Sequence, residues 1–213
     1  MNGHNLTVGG LNSNSTVTIK NEVEGDPSEF CVFATEDTVN TKVLISGNVK
    51  FVKDGAAKYT SAKGQTYTGG NELLGGVASA SLNATQQTTF GVSGSRILVR
   101  NATLELGGQV WFTVYKIVLD GGTISSVFSE SLGQYSGGAI IGGVTLLSDS
   151  AFQTVGSGIL RLWPDVIDLG GCALDVNNSA DGTFLVSSDV GNTHSDSVIS
   201  NGTMNVTGGT FKI

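Results

Sequence analysis

At 213 residues, with 31 glycines, only two prolines and no three-residue glycine period, the sequence excludes both collagen and proline-rich disorder. Hydrophobic residues at 39% against 14% charged exclude the low-hydrophobicity, high-charge composition of disordered segments. A formal net charge of −7, with no basic stripe interleaved with aromatics, argues against nucleic acid as a partner and for a solvated acidic surface.

In chain order, Leu6 to Lys20 alternates apolar residues with Thr or Lys around turns at Gly9-Gly10 and Asn12-Ser13-Asn14. Side chains in a strand point alternately to opposite faces, so this pattern predicts half-buried strands. The acid-rich stretch Asn21 to Ser28, with Pro27, breaks the pattern and reads as a loop. Strand character returns over Phe30 to Ala34, and Lys42 to Lys53 carries Val43, Ile45, Val49 and Phe51 at alternate positions. Ala78 to Thr89 reads as a loop, Ile97 to Val99 and Leu104 to Leu106 as short strands. Val110 to Leu119 reads as the longest strand, because β-branched and aromatic enrichment over ten residues outweighs helical spacing. Ser129 to Gly137 is a polar loop, and short strands follow to Ile213, with Pro164 placed at a strand end because it cannot donate to a ladder.

A small or turn-forming pair precedes a strand-like segment at Gly47-Asn48-Val49-Lys50, Asn101-Ala102-Thr103-Leu104, Gly121-Gly122-Thr123-Ile124, Gly142-Gly143-Val144-Thr145, Asn201-Gly202-Thr203-Met204 and Gly208-Gly209-Thr210-Phe211. These read as corners of one coil, with recurrences every 20 to 30 residues or so, the signature of units stacked in one dimension. Two-residue hairpin turns bracketing matched strands, which a sandwich needs, are scarce. The expected fold is all-β, a single parallel β-helix domain over residues 1–213 with roughly eight or nine coils about 4.8 Å apart.

The stretch Phe51 to Ala78 makes the reading more specific. Its order Lys53-Asp54-Gly55-Ala56-Ala57-Lys58-Tyr59-Thr60, then Gln65-Thr66-Tyr67-Thr68-Gly69-Gly70, then Leu74-Gly75-Gly76-Val77 resembles the autotransporter-associated β-strand repeat. It departs from that repeat at Ala57, where a Gly is usual, at Gln65 for Asn, and at Asn71 for Thr. About 30 residues match well and about another 30 loosely, at Asn2 to Leu11 and Asn201 to Phe211. The resemblance implies a right-handed parallel β-helix in exported bacterial surface or passenger proteins, and transfers no catalytic residue. The opening at Met1-Asn2-Gly3-His4 reads as the middle of a repeat, so the expectation is a segment of a longer chain with export signals elsewhere. No apolar run approaches the ~18 residues of a membrane span.

Candidate chemistry is sparse. The best local set for sugar chemistry is Arg161 with Asp165, Asp168 and Asp175, since acid/base or nucleophilic catalysis needs carboxylates converging on one face. An acid beside Pro or Gly is also what a corner needs, and that reading is preferred. His4 and His194 are too isolated for a metal site or triad, and Glu36-Asp37 falls in a loop. Cys31 and Cys172 lack CxxC spacing and read as two free, buried thiols. Trp111, Phe112 and Tyr115 read as core rather than as a sugar-stacking platform.

The expected function is a non-catalytic structural or adhesive segment of an exported bacterial surface protein, extracellular or on the cell surface, without metal or cofactor. Its expected partners are a host or environmental glycan or a surface protein, met by the loops at Asn21 to Ser28, Ala78 to Thr89 and Ser129 to Gly137. A carbohydrate-active β-helix, lyase-like or glycoside hydrolase-like, and a phage tail-spike segment are the alternatives.

Overall fold

Short alternating strands separated by glycine-marked corners can satisfy their backbones by stacking each coil on the last, and that is the arrangement adopted. The computed structural model describes residues 1–81, 88–92, 94–107, 109–112, 115–128, 137–140, 142–162, 166–186 and 198–212. They form a parallel β-solenoid with three faces and no helix.

The first face stacks nine strands in order: β1 (Leu6–Val8), β3 (Ser28–Phe33), β6 (Val49–Asp54), β9 (Asn71–Leu73), β11 (Arg96–Arg100), β14 (Lys116–Asp120), β17 (Val144–Leu146), β20 (Val166–Asp168) and β23 (Val198–Ser200). The second stacks eight: β4 (Thr38–Asn40), β7 (Lys58–Ser61), β10 (Val77–Ser81), β12 (Thr103–Gly107), β15 (Thr123–Val127), β18 (Ser150–Val155), β21 (Ala173–Asn178) and β24 (Thr203–Thr207). The third is split into a sheet of three, β2 (Val17–Asn21), β5 (Val43–Gly47) and β8 (Thr66–Tyr67), and a sheet of five, β13 (Gln109–Phe112), β16 (Gly137–Ile140), β19 (Ile159–Leu162), β22 (Thr183–Val186) and β25 (Thr210–Lys212). Between these two sheets an irregular segment takes one rung. Gln65 N–H donates to Thr88 O at 2.8 Å, Val92 N–H donates to Tyr67 O at 3.1 Å, and Phe90 is driven into the core.

Register partners on the first face lie from 20 residues apart (Phe51 and Asn71) to 32 (Ile167 and Ile199). The shortest coils leave almost no residue outside strands and corners. Longer ones carry loops, as at residues 22–27 between β2 and β3.

Every second residue of each strand points inward, so stacking turns strand alternation into apolar columns along the axis. One runs through Phe30, Phe51, Ile97, Ile117, Val144 and Ile167, interrupted only by Asn71, another through Tyr59, Ala78, Leu104, Ile124, Phe152 and Val176. The lower interior is aromatic. Phe51 contacts Phe30, Tyr59, Tyr67 and Phe90 at centroid distances of 5.3–6.5 Å. In the upper coils Phe184 stacks on Phe211 at 5.6 Å.

All six sequence-marked corners precede a strand, namely β6, β12, β15, β17, β24 and β25. Gly47, Asn101, Gly121, Asn201, Gly208 and Gly209 hold positive φ, the left-handed conformation that glycine and asparagine adopt at least cost. Three expectations are corrected. Val110 to Leu119 is not one strand, because β13 and β14 belong to different faces; the run is apolar on both sides of the break and holds no glycine, so the sequence does not mark it. Val77–Ser81, placed largely in a loop, is a strand paired on both sides. The thiols are free, but both are only half-buried, since Cys31 lies on the outward side of β3 between the buried Phe30 and Val32.

Buried phenols set an alkaline limit on stability. Burial pushes Tyr59 up to about 12, with hydrogen bonds from Asn40 and Ser61 opposing, and raises Tyr67 and Tyr115 as well. A phenol with a raised folded value contributes stability that is complete below its unfolded value near 10 and is lost as pH rises through the folded value. The contribution of these three phenols is therefore intact below about pH 10 and declines as pH rises above it. Phenolate absorbance of Tyr59, Tyr67 and Tyr115 should appear together with loss of far-ultraviolet β signal; independent titration near pH 10 would contradict the burial.

Corner geometry gives a second prediction. A Cβ at Gly55 (φ +79) would sit 2.4 Å from Ala34 O, whereas one at Gly171 (φ +84) meets nothing within 4 Å. Gly171→Ala should cost about 1 kcal/mol of conformational strain, and Gly55→Ala about 3 kcal/mol, read by urea unfolding.

Candidate functional site

The hollow with the most distinctive surroundings lies where the acid-rich loop leaves the third face. It has a volume of about 480 Å³ and is lined by residues 20–25, Gly47, Asn48 and Thr68. Two asparagines build it. Asn21, buried at the end of β2, accepts from Gly3 N–H at 3.1 Å and Val23 N–H at 3.4 Å through Oδ1, and donates through Nδ2 to Asn48 O at 2.8 Å. Asn48, at the corner one coil on, donates to Val23 O and Gly25 O, both at 3.0 Å. The loop is thus shaped by amide side chains standing in for backbone partners, while Lys20 pairs with Glu22 at 2.5 Å. Glu22, Glu24 and Val23 are exposed along the hollow beside Lys20, and Asp26 is exposed farther along the same loop, which makes the loop acidic with one apolar side chain at the hollow.

Elsewhere charges are organised along the stack. Lys50 bridges Glu29 at 3.0 Å and Glu72 at 3.4 Å on the coils either side, and its ammonium is raised, chiefly by the hydrogen bond to Glu29. Glu105 receives Lys58 at 2.5 Å and Ser79 Oγ at 2.8 Å across the strands β7, β10 and β12. Contacts of opposite charge between adjacent coils at Lys50, and across two coils from Lys58 to Glu105, hold the outer surface in register.

The structure distributes the sequence-nominated residues over separate faces. Arg161 is on β19 of the third face, Asp168 on β20 of the first, and Asp175 on β21 of the second; Asp165 lies outside the described residues. Asp168 Oδ1 accepts from Gly170 N–H at 3.0 Å and Asn201 Nδ2 at 3.1 Å, and these bonds, Gly170 first, hold its carboxyl below the usual carboxylate value. Asp175 accepts from Asn205 Nδ2 at 2.9 Å. Asp168, at the end of β20, pins a side chain of the following coil as a corner acid does, whereas Asp175 sits within β21 and bonds to its register partner in β24. His4 sits in an exposed turn with its N–H donating to Met1 O at 3.0 Å, and His194 lies outside the described residues. Among the described residues, no group of three or more His, Cys, Asp or Glu could hold a metal ion.

Tyr115 is core, its hydroxyl accepting from Phe90 N–H at 3.0 Å and donating to Gly91 O at 3.2 Å; the side chains of Trp111 and Phe112 lie outside the described residues. Sequence reasoning missed Asn21 and Asn48 as the builders of the hollow. The available signal was an Asn at the last residue of a strand and another directly after a corner Gly.

The fold defines the chain as a parallel β-solenoid with loops displayed at its corners. Comparison with protein-family models, curated proteins and solved structures finds no match.

Asn48→Ala removes both amide donors to the loop while sparing the inward columns. It should speed amide exchange over residues 22–27 at least tenfold, equivalent to about 1–2 kcal/mol, and leave exchange in β6 and β9 unchanged.

Proposed function

We propose that this chain is a non-catalytic structural and adhesive segment of an exported bacterial surface protein, of the autotransporter-like kind that its Phe51 to Ala78 stretch resembles, and that its ligand contacts are made by corner loops. The observation that carries the reading is the disposition of polar groups. Asp168 and Asp175 bond to the next coil from different faces, while residues 22–27 hold acids and Val23 outward over a preformed hollow. A stacked solenoid serves such a role because each coil supports its neighbours and a loop can vary without disturbing the ladder. A stiff rod with a variable rim is a spacer that also recognises.

The partner is a glycan or a surface protein, and the test treats both. The 213-residue chain is applied to arrayed glycans and to immobilised surface proteins, alongside a triple variant Glu22→Gln, Glu24→Gln, Asp26→Asn that keeps loop length and removes its charge. Retention by at least one class, weakened about tenfold or more in the variant, is the expected result. A parallel reducing-sugar assay on the bound glycans should read zero release. Turnover that disappears in Asp168→Ala would replace the adhesive reading with a carbohydrate-active one.

A further inference from the structure

Lys53 stands in an otherwise apolar inward column, between Val32 below and Leu73, Val99, Leu119 and Leu146 above. It is wholly buried, with 0% of its surface exposed. Its stem fills the place of a Leu or Val, and its ammonium reaches the corner, where it donates to Asp54 O at 2.8 Å, Gly55 O at 2.9 Å and Gly75 O at 2.9 Å. An ammonium has three donors, and each finds a carbonyl.

Those carbonyls come from two successive coils: Asp54 and Gly55 close β6, and Gly75 follows β9. They converge because the corners are unusually tight. Gly55 and Gly76 take φ of +79° and +61°, and a Cβ at Gly76 would fall 2.6 Å from both Ala56 O and Gly55 O. Turning the chain this sharply points peptide oxygens inward. Among the described residues, no backbone N–H donates to Gly55 O or Gly75 O across the corner. No carboxylate among the described residues forms an ion pair with Lys53 either; Asp54 turns its Oδ1 to Gly55 N–H at 2.7 Å and contributes its field. The buried charge is met by three oriented peptide dipoles, with the field of Asp54 added, and oriented carbonyls are how proteins hold a desolvated monovalent cation.

We propose that this corner is a binding site for primary alkylammonium ions, occupied in cis by Lys53, and that the occupied site clamps the coil of β6 to the coil of β9. The recognised chemistry is a cation with three N–H donors on an unbranched alkyl stem. Lys53→Ala removes three methylenes and the ammonium, the outline of n-propylammonium, so that ion is the probe.

The experiment measures reversible urea unfolding of Lys53→Ala with n-propylammonium chloride, against n-propanol, tetramethylammonium chloride and sodium chloride at matched concentration. The site predicts that n-propylammonium at ten times its dissociation constant raises the folded-to-unfolded ratio of Lys53→Ala about tenfold, with no such rise in the unmodified chain or from the other three additives. Equal rescue by n-propanol would overturn it, because a filled cavity without the charge would then suffice; so would absence of rescue.

Lys53→Met, which keeps the stem and removes the donors, covers the case in which the alanine variant does not fold. The proposal requires it to be less stable than the parent, since two inward carbonyls lose their donor. A methionine variant as stable as the parent, or more so, would overturn it, as happens where a buried charge is costlier than a well-packed apolar side chain. Neither outcome bears on adhesion by the loops, which is read by binding.

Discussion

The parallel ladder between consecutive coils is the interaction from which the rest of this structure follows. Every pairing among the described strands is parallel and in register, so a residue is defined as much by the partner one coil away as by its neighbours in sequence. A one-residue slip would turn the Phe30, Phe51 and Ile97 column to solvent and bring Cys31, Val52 and Leu98 inward. The corners fix register because left-handed residues close on the carbonyl of the coil below; a Cβ at Gly47 would lie 2.1 Å from Asn21 O. Glycine abundance is thus a packing requirement between coils and not a sign of looseness.

Three side chains show how a solenoid completes hydrogen bonding where the ladder fails. β8 is only two residues long, and Gln65 extends it, accepting from Ile45 N–H at 2.6 Å through Oε1 and donating to Val43 O at 3.2 Å through Nε2. Asn40 closes the corner between β4 and β5 by accepting from Val43 N–H at 2.8 Å and donating to Val43 O at 3.0 Å, with a further bond to the Tyr59 hydroxyl. Asn71 accepts from the Tyr67 hydroxyl and donates to Phe90 O at 3.0 Å. All three are buried, and their satisfied groups rigidify the aromatic lower interior instead of weakening it.

The fold was largely legible in the sequence, because both of its determinants are local: alternation marks the strands, and Gly-Gly or Asn-Gly pairs before a Thr or Val mark the corners. Less legible was where one strand ends when no glycine pair separates it from the next, as with β13 and β14. The site was less legible still. Arg161, Asp168 and Asp175 are close in sequence, yet seven residues from Asp168 to Asp175 suffice to turn the chain from one face to the next. Asn21 and Asn48 are 27 residues apart and meet because stacking makes them neighbours. The inward direction of Lys53 depends on its place in the column of Val32 and Leu73, which pairing establishes and composition does not.

The rung at residues 88–92 gives the molecule a joint. On the first and second faces hydrogen bonding runs unbroken past this level, whereas the third face changes there from one sheet to another, held by Thr88, Val92 and the tyrosine hydroxyl above them. At this level the described third-face contacts are individual bonds at Thr88, Val92 and the Tyr115 hydroxyl, while the first and second faces carry strand ladders straight through. Register between the lower and upper coils is consequently carried past residues 88–92 by the two continuous faces, and the third face follows them.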